Sequence, residues 1–448
     1  MELTFKSIRN CIGILLASVL VGFLLLIGVY MLPVEPMQQH VFDNMWLLEE
    51  EGTYTEFLPR CFVRMHPDNI SLRTMLLNNR GMARDNHTDS LMLGAAAFDD
   101  WDVISAVQKA LLVYHDETVS DAPYNSLFSY AELGRISNPK PYPRYWHGYL
   151  VILKPLLLFL NYNRVRCFNV LMLFLLSMTV VGRMWRRIGK RETFAFILAG
   201  LMTFPFVIPY CMQYSNMAYT TLIAANIMLF SGKNIWKRKR MLYFWLLLGI
   251  ATAYFDFLTY PVLALGVALV FQEIVIKDTT WKTVLLSCVS WLSGYAGMWA
   301  SKWVLAEVLT DQHVISDAIS QVIHRTVGES DFEGRHANAI TAIAANLSCY
   351  TNVVFIVLIL ICAIVFICYM RVKKTIVVEG KSISKRNYHL LWIASIPFVW
   401  YALTASHSFD HSSYTYRAIM VTVFALLIFA CPMTSTTDEE LVSEYMNE

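Results

Sequence analysis

Charged side chains are scarce in this sequence. Asp, Glu, Lys and Arg make up 16% of its 448 residues, whereas hydrophobic residues make up 56%. A soluble domain usually has about 25% charged and about 45–50% apolar residues. The formal net charge of +2 is too small to attract nucleic acid. The composition therefore predicts a polytopic membrane protein without a nucleic-acid partner.

Motifs for metals, disulfides and nucleotides are also missing. The nine cysteines are scattered without a C-x-x-C pair, and no H-E-x-x-H pattern occurs. No G-x-x-x-x-G-K-[ST] loop occurs either, which argues against transport driven by ATP. We therefore expect neither a structural metal site nor a disulfide framework.

The sequence contains many long apolar runs. A helix needs about 20 apolar residues to cross a bilayer. The first run is expected to be an uncleaved span, because Leu32-Pro-Val-Glu-Pro follows it instead of a small-residue cleavage site. The runs predict about ten spans, at residues 11–32, 166–185, 193–211, 217–231, 241–257, 260–276, 283–303, 352–370, 389–406 and 417–432.

The distribution of Lys and Arg predicts the orientation of these spans. Basic residues cluster at 186–191 and 233–240 and recur in every second later loop. Such loops face the cytoplasm. We expect both termini of an integral protein, in a bacterial cell membrane, to be cytoplasmic. The predicted domains are 1–32 (tail and first span), 33–165 (extracytoplasmic loop), 166–432 (helix bundle with outer loop 304–351) and 433–448 (cytoplasmic tail).

The long outer loop contains two further apolar segments. Residues 148–160 are too short to span, and Lys154-Pro155 interrupts them, so we expect an interfacial or re-entrant helix. Residues 89–113 also have helical apolar spacing. We expect this segment to lie on the membrane surface and to hold the loop down.

Two motifs of this loop resemble a known family. Thr88-Asp89-Ser-Leu-Met-Leu-Gly-Ala-Ala-Ala and Pro141-Tyr-Pro-Arg-Tyr-Trp-His are similar to stretches of the GT-C class of glycosyltransferases. The branch they resemble contains the protein O-mannosyltransferases and aminoarabinose transferases, although Ser90 stands where that branch often has Glu. The resemblance implies an all-α polytopic fold with a long first extracytoplasmic loop carrying interfacial helices. It also implies transfer of a sugar from a polyprenyl-phosphate donor to a glycan, lipid or protein acceptor on the non-cytoplasmic face.

Such transfer needs a base near the acceptor hydroxyl, and a carboxylate serves this purpose. Asp89 is the leading candidate and Asp85 the second, since their spacing of four places them on one face of a helix. The alternative is that Asp85 or Asn86 caps the helix that starts near Thr88. Asp43, just after the first span, is a further candidate for substrate binding.

The leaving phosphate needs cations or hydrogen-bond donors. The best cluster is formed by His407, His411 and Arg417, between the last two predicted spans; a snorkelling Arg with two interfacial His is the alternative. Arg144 and His147 are a second pair, unless they belong to an aromatic membrane anchor.

Asp256 stands at the outer end of a predicted span. An acid at that depth is a functional candidate. It could hold Arg417 or Arg144 in place or contact a sugar, and a purely structural ion pair is the alternative.

Two other functions remain open. A lipid-linked glycan transporter or flippase also needs outer-face cations and a lipid groove, but it does not require the acidic outer loop. A GT-C-like scaffold subunit without catalysis is the second rival. No cofactor follows from the sequence, although a divalent cation between the sugar phosphate and outer acids would suit oxygen ligands. Membrane lipids are expected partners throughout.

Overall fold

The computed structural model describes residues 4–56, 80–98, 105–116, 124–136, 138–230, 238–276, 279–327, 337–351, 353–372 and 388–430. These residues are predominantly helical, and short strands form two ribbons of two strands each. The basic segments 231–237 and 373–387 and the tail 433–448 lie outside the described residues.

The first helix, α1 (Phe5–Tyr30), covers the first apolar run. Thr4 caps its N-terminus, where the side chain accepts a hydrogen bond from the Ser7 N–H. Tyr254 donates its hydroxyl to the carbonyl of Gly22 over 2.7 Å, which fixes α1 against a later helix.

The outer loop folds into short elements. In chain order they are α2 (Glu35–Phe42), α3 (Met45–Glu51), β1 (Tyr54–Glu56), β2 (Ala83–Asp85), α4 (Asn86–Ala97), α5 (Ala106–Leu112), β3 (Tyr114–Asp116), α6 (Tyr124–Leu133), β4 (Pro139–Pro141) and α7 (Leu150–Leu157). β1 pairs antiparallel with β2, Tyr54 opposite Asp85, and β3 pairs antiparallel with β4, Tyr114 opposite Pro141.

Helix α4, the first part of the segment 89–113, is buried within the protein. Its residues Met92 to Ala97 are all buried, and α4 packs against α2, α6 and α7. Lys154 of α7 is buried too and donates its Nζ to the carbonyl of Ala96 over 2.7 Å. A cation at the C-terminal carbonyls of a helix is favourable. The loop elements therefore form a packed layer.

The remaining elements are α8 (Tyr162–Arg187), α9 (Lys190–Leu201), α10 (Met212–Phe230), α11 (Arg238–Phe255), α12 (Val262–Val275), α13 (Trp281–Leu309), α14 (Val314–Val327), α15 (Ala339–Ser348), α16 (Val353–Val372), α17 (Tyr388–Leu403), α18 (Ala405–Asp410), α19 (Ser412–Thr415) and α20 (Ile419–Ala430). Among the described residues, three stretches are long and apolar enough to cross a membrane: Phe5–Tyr30, Tyr162–Arg187 and Ser412–Ala430.

Each predicted span overlaps a helix, but the segment 193–211 is not one continuous helix. Helix α9 ends at Leu201, and a turn leads to a short 3-10 helix at Ile208–Tyr210. Pro205 and Pro209 explain the break, because a proline disfavours helical backbone before it and removes an N–H donor.

Helices α11 and α13 pack closely at two glycines. A Cβ on Gly249 would lie 2.0 Å from the carbonyl oxygen of Trp291, and one on Gly294 would lie 2.1 Å from that of Leu246. Small residues permit such contact between membrane helices. This contact positions the C-terminal end of α11, where Asp256 follows.

Candidate functional site

A buried ionic network joins the outer loop to the helix bundle. Arg166 donates to both carboxylate oxygens of Glu51, each over 3.0 Å, and to the hydroxyl of Tyr162 over 2.6 Å. Tyr162 in turn donates to Asp89 over 2.7 Å. Arg84 also pairs with Glu51. The network ties α3, β2, α4 and α8 together.

Asp89 is fully buried at the centre of this network. Its oxygens accept the backbone N–H of Met212 at 2.9 and 3.1 Å, so Asp89 satisfies a donor at the start of α10. Burial raises the pKa of Asp89 to about 7, although Arg166 and the Tyr162 hydrogen bond act in the opposite direction. Its geometry is that of a residue fixing two helices together.

Asp85 caps α4, which was the alternative to a catalytic role. One oxygen accepts the Thr88 N–H at 2.9 Å and the other accepts the Thr88 hydroxyl at 2.8 Å. Burial raises the pKa of Asp85, and the hydrogen bonds from Thr88 oppose that rise.

Arg417 is buried without any exposed surface. Its guanidinium donates to three backbone carbonyls, those of Thr203, Ser413 and Gly81, at 3.0 to 3.1 Å. It also lies 4.1 Å from the centroid of the Tyr214 ring. The side chain therefore holds three chain segments together, and it does not snorkel.

Asp256 lies in the turn between α11 and α12. Its Oδ2 accepts the Thr259 N–H at 3.0 Å, while its Oδ1 is buried without a hydrogen-bond partner among the described residues. Burial raises the pKa of Asp256 to about 7, although hydrogen bonds from Thr259 and from the backbone of Phe257 and Leu258 oppose the rise. No ion pair with Arg417 or Arg144 forms within the part of the chain that the structure describes. A buried oxygen left without a partner requires an explanation.

The backbone around Asp256 is strained. Leu258 has φ of +71° and His147 has φ of +54°, which side chains with a Cβ rarely adopt. Such strain clusters at functional sites. The ring of His147 stacks on that of Phe257, the neighbour of Leu258 in the chain, with centroids 6.5 Å apart.

His407 fixes this turn from the other side. Its Nδ1 lies 3.1 Å from the Arg325 guanidinium, and its Nε2 lies 2.7 Å from the carbonyl oxygen of Leu258. Because Arg only donates, Nδ1 accepts and Nε2 carries the hydrogen. Burial lowers the pKa of His407 well below its usual value, so the imidazole is neutral.

A polar cavity of about 190 Å³ opens beside His407, between α14 and α18. The ring of His411 lies 4.7 Å from that of His407. Burial lowers the pKa of His411 to about 4, with a further contribution from Arg325. The residues that line the cavity are Gln321, His324, Arg325, Ser406, His407, Asp410 and His411.

A larger apolar cavity of about 520 Å³ lies between α7, α8, α10 and α11. Met92, Tyr149, Leu153, Met212 and Phe255 are among the residues that line it. Small-molecule sites usually have volumes of about 300–1,000 Å³ and mostly apolar walls. The size and lining suit an apolar ligand such as a hydrocarbon chain.

The other predicted binding residues have different surroundings. Arg144 pairs with Asp317 at 2.8 Å. His147 donates from Nε2 to the carbonyl of Tyr142, 3.0 Å away, and burial lowers its pKa to about 3. Asp43 is exposed at the end of α2, and no described contact joins its carboxylate to the residues above.

Three residues that the motifs did not single out also belong to this region. Arg325 lies 3.1 Å from His407, while Tyr295 and Trp299 lie on α13. The sequence did contain a signal for α13, since Trp291, Tyr295, Trp299 and Trp303 recur every four residues. Within the described ranges, no group of three or more His, Cys, Asp and Glu could hold a metal ion.

Comparisons with known proteins found no match, whether with family models, curated proteins or solved structures.

Proposed function

We propose that this protein is a membrane glycosyltransferase of GT-C-like architecture with about ten spans. It transfers a sugar from a polyprenyl-phosphate donor to a glycan, lipid or protein acceptor at the outer face of a bacterial cell membrane. Membrane lipids surround the bundle, and the donor lipid enters from them. The glycosyltransferase class itself comes from the sequence motifs, and the site geometry supports it.

The observation that carries the proposal is the place of Asp256 in the chain, within the short segment from Phe255 to Leu258 that connects the walls of the two cavities. Phe255 lines the apolar cavity, and Leu258 is held by His407 of the polar cavity. Three residues of chain reach at most about 11 Å. We place the chain of a polyprenyl donor in the apolar cavity and its phosphate near Arg325 and His407, which line the polar cavity.

Asp256 is the carboxylate that we assign as the general base. It removes the proton from the acceptor hydroxyl while that oxygen forms a bond to C1 of the donor sugar. The bond from C1 to the phosphate oxygen breaks, and the polyprenyl phosphate leaves with the electron pair. The raised pKa of Asp256, about 7, suits a base at neutral pH. Arg325 stabilises the charge on the leaving phosphate.

Asp89 and Asp85, the leading candidates from the sequence, are assigned to the fold in this proposal. Both oxygens of each carboxylate already accept hydrogen bonds within the protein. Arg417 donates its hydrogen bonds to backbone carbonyls, whereas Arg325 lines the polar cavity, so we assign the leaving phosphate to Arg325.

The test is mass spectrometry of membrane lipids and surface glycans in cells with and without the gene. Loss of a transferase leaves a polyprenyl-phosphate monosaccharide unused, together with a glycan short of that sugar. Accumulation of a larger lipid-linked oligosaccharide, with an unchanged monosaccharide pool, would instead identify a flippase. An unchanged lipid and glycan profile would contradict both functions.

A further inference from the structure

An aromatic ladder runs along one face of α13. Trp291, Tyr295, Trp299 and Trp303 follow each other at intervals of four residues, and consecutive ring centroids lie 4.9, 5.5 and 5.8 Å apart. Residues at this spacing share a helix face. Stacked rings alone are an ordinary packing feature, so a binding role for the ladder depends on its polar atoms.

Polar atoms of the ladder are buried without partners. The hydroxyl of Tyr295 and Nε1 of Trp299 have no hydrogen bond among the described residues. The same is true of Nε1 of Trp291, one turn earlier in α13. By contrast, Nε1 of Trp303 donates to the carbonyl of Arg144 over 2.9 Å. Leaving a buried donor unsatisfied is destabilising. Tyr295 and Trp299 therefore present hydrogen-bonding capacity that nothing in the described chain uses.

Ring contacts link these two residues to the neighbour of Asp256 in the chain. Tyr145 joins them, because its ring lies 5.4 Å from that of Trp299 and 6.0 Å from that of Phe257, the neighbour of Asp256. The Asp256 carboxyl is also within electrostatic reach of Tyr295 and Tyr145. The acceptor Oδ1 of Asp256, the donor Nε1 of Trp299 and the hydroxyl of Tyr295, which can donate and accept, thus lie among aromatic rings.

We propose that Tyr295, Trp299 and Asp256 form a subsite for the hydroxyl groups of a neutral pyranose sugar. A pyranose offers hydroxyls that donate and accept, and its C–H face suits the electron-rich face of an aromatic ring. A uronic acid would bring a negative charge towards Asp256, which is unfavourable. The inference rests on the proposed glycosyltransferase function and names the substrate class of the same site.

Tryptophan fluorescence of the full chain in lipid nanodiscs tests the subsite. D-glucose, D-galactose, D-mannose and D-glucuronate are titrated separately against the wild type, Tyr295→Phe, Trp299→Phe and the control Trp392→Phe. Trp392 is exposed on α17, and its removal leaves the ladder intact. Each variant is accepted only if its thermal unfolding midpoint matches the wild type.

We expect at least one of the three neutral hexoses to change the emission saturably in the wild type and in Trp392→Phe. Tyr295→Phe keeps the ring and loses the hydroxyl, so its dissociation constant should rise at least tenfold. Trp299→Phe should lose most of the signal, and glucuronate should give none. The subsite is wrong if no hexose binds, if glucuronate binds as well as the hexoses, or if both variants bind like the wild type.

The two proposals fail separately. Hexose binding that depends on Tyr295, in a protein whose deletion leaves lipid-linked sugars unchanged, would preserve the subsite and reject the transferase. Accumulation of a polyprenyl-phosphate monosaccharide without any hexose binding would preserve the transferase and reject this subsite.

Discussion

The carboxylate of Asp89 accepts the backbone N–H of Met212 with both of its oxygens, at 2.9 and 3.1 Å. This contact joins the start of α10 to α4, elements that are more than 100 residues apart in the chain. Asp89→Ala leaves the N–H and the Tyr162 hydroxyl without an acceptor. We expect a loss of about 1–3 kcal/mol in unfolding free energy.

Asp89→Asn keeps an acceptor for the Met212 N–H, so the loss should be smaller. Thermal unfolding in detergent compares the two variants. Transfer activity per folded molecule should stay within about threefold of the wild type in Asp89→Asn, a change below 1 kcal/mol. A loss of more than a hundredfold in folded Asp89→Asn would restore Asp89 as the base.

The raised pKa of Asp256 gives stability a specific dependence on pH. Between its ordinary value and about 7, the folded state holds a proton that the unfolded state has released. The wild type therefore loses stability as pH rises through this range, with no further loss above it. Asp256→Asn does not titrate, so its stability relative to the wild type should grow from about pH 4 to pH 7.

Thermal unfolding midpoints of both proteins across this range measure the difference. Asp89 also titrates near 7 but is present in both proteins, so its contribution cancels. A difference that shrinks as pH rises would mean that a cation stabilises the ionised Asp256, and the proposed environment would be wrong.

Arg417 is expected to stabilise the folded protein. Arg417→Met removes a buried charge and its hydrogen bonds to the carbonyls of Thr203, Ser413 and Gly81. Each hydrogen bond to a charged group contributes about 1.5–3 kcal/mol, so the loss should reach about 3 kcal/mol or more. The matched control is Arg164→Met, at an exposed position near the start of α8, which should change stability by about 0.5 kcal/mol or less. Equal midpoints for the two variants would contradict this role.

Two glycine substitutions are expected to change stability in opposite directions, because only one of them lies in the contact between α11 and α13. Gly249→Ala places a Cβ against the carbonyl of Trp291 and should destabilise the protein by about 1–3 kcal/mol. Gly182→Ala in α8 meets no atom within 4 Å and should stabilise its helix by up to about 1 kcal/mol. Thermal unfolding of both variants in one detergent checks the sign. A Gly249→Ala variant as stable as the wild type would mean that the helices are further apart.

Local sequence patterns predicted the helices because apolar runs must be buried as helices or placed in lipid. They also predicted α7 within residues 148–160 and the cap at Asp85. They did not predict that the helix ends at Leu201, although Pro205 and Pro209 follow it in the sequence. Nor did they show that α4 is buried, since its partners α2 and α6 are separated from it by more than 25 residues of chain.

The candidate site depended more heavily on tertiary structure. Asp256, His407 and His411 were recognised as polar residues at the outer ends of spans. That His407 holds Leu258, and that Arg325 holds His407, follows only from the packing of α14 against α18. The sequence alone does not tell which of Asp89 and Asp256 has a structural role. The hydrogen-bond partners of their carboxylate oxygens distinguish the two residues.

The most direct test of the account is the lipid content of cells that express Asp256→Asn in place of the wild type. The polyprenyl-phosphate monosaccharide should accumulate to the level of cells without the gene, while Asp89→Asn cells, at equal protein abundance, should have the wild-type pool. Asparagine has nearly the shape of aspartate but cannot take the proton. A wild-type lipid pool in Asp256→Asn cells would contradict the assignment of Asp256 as the base.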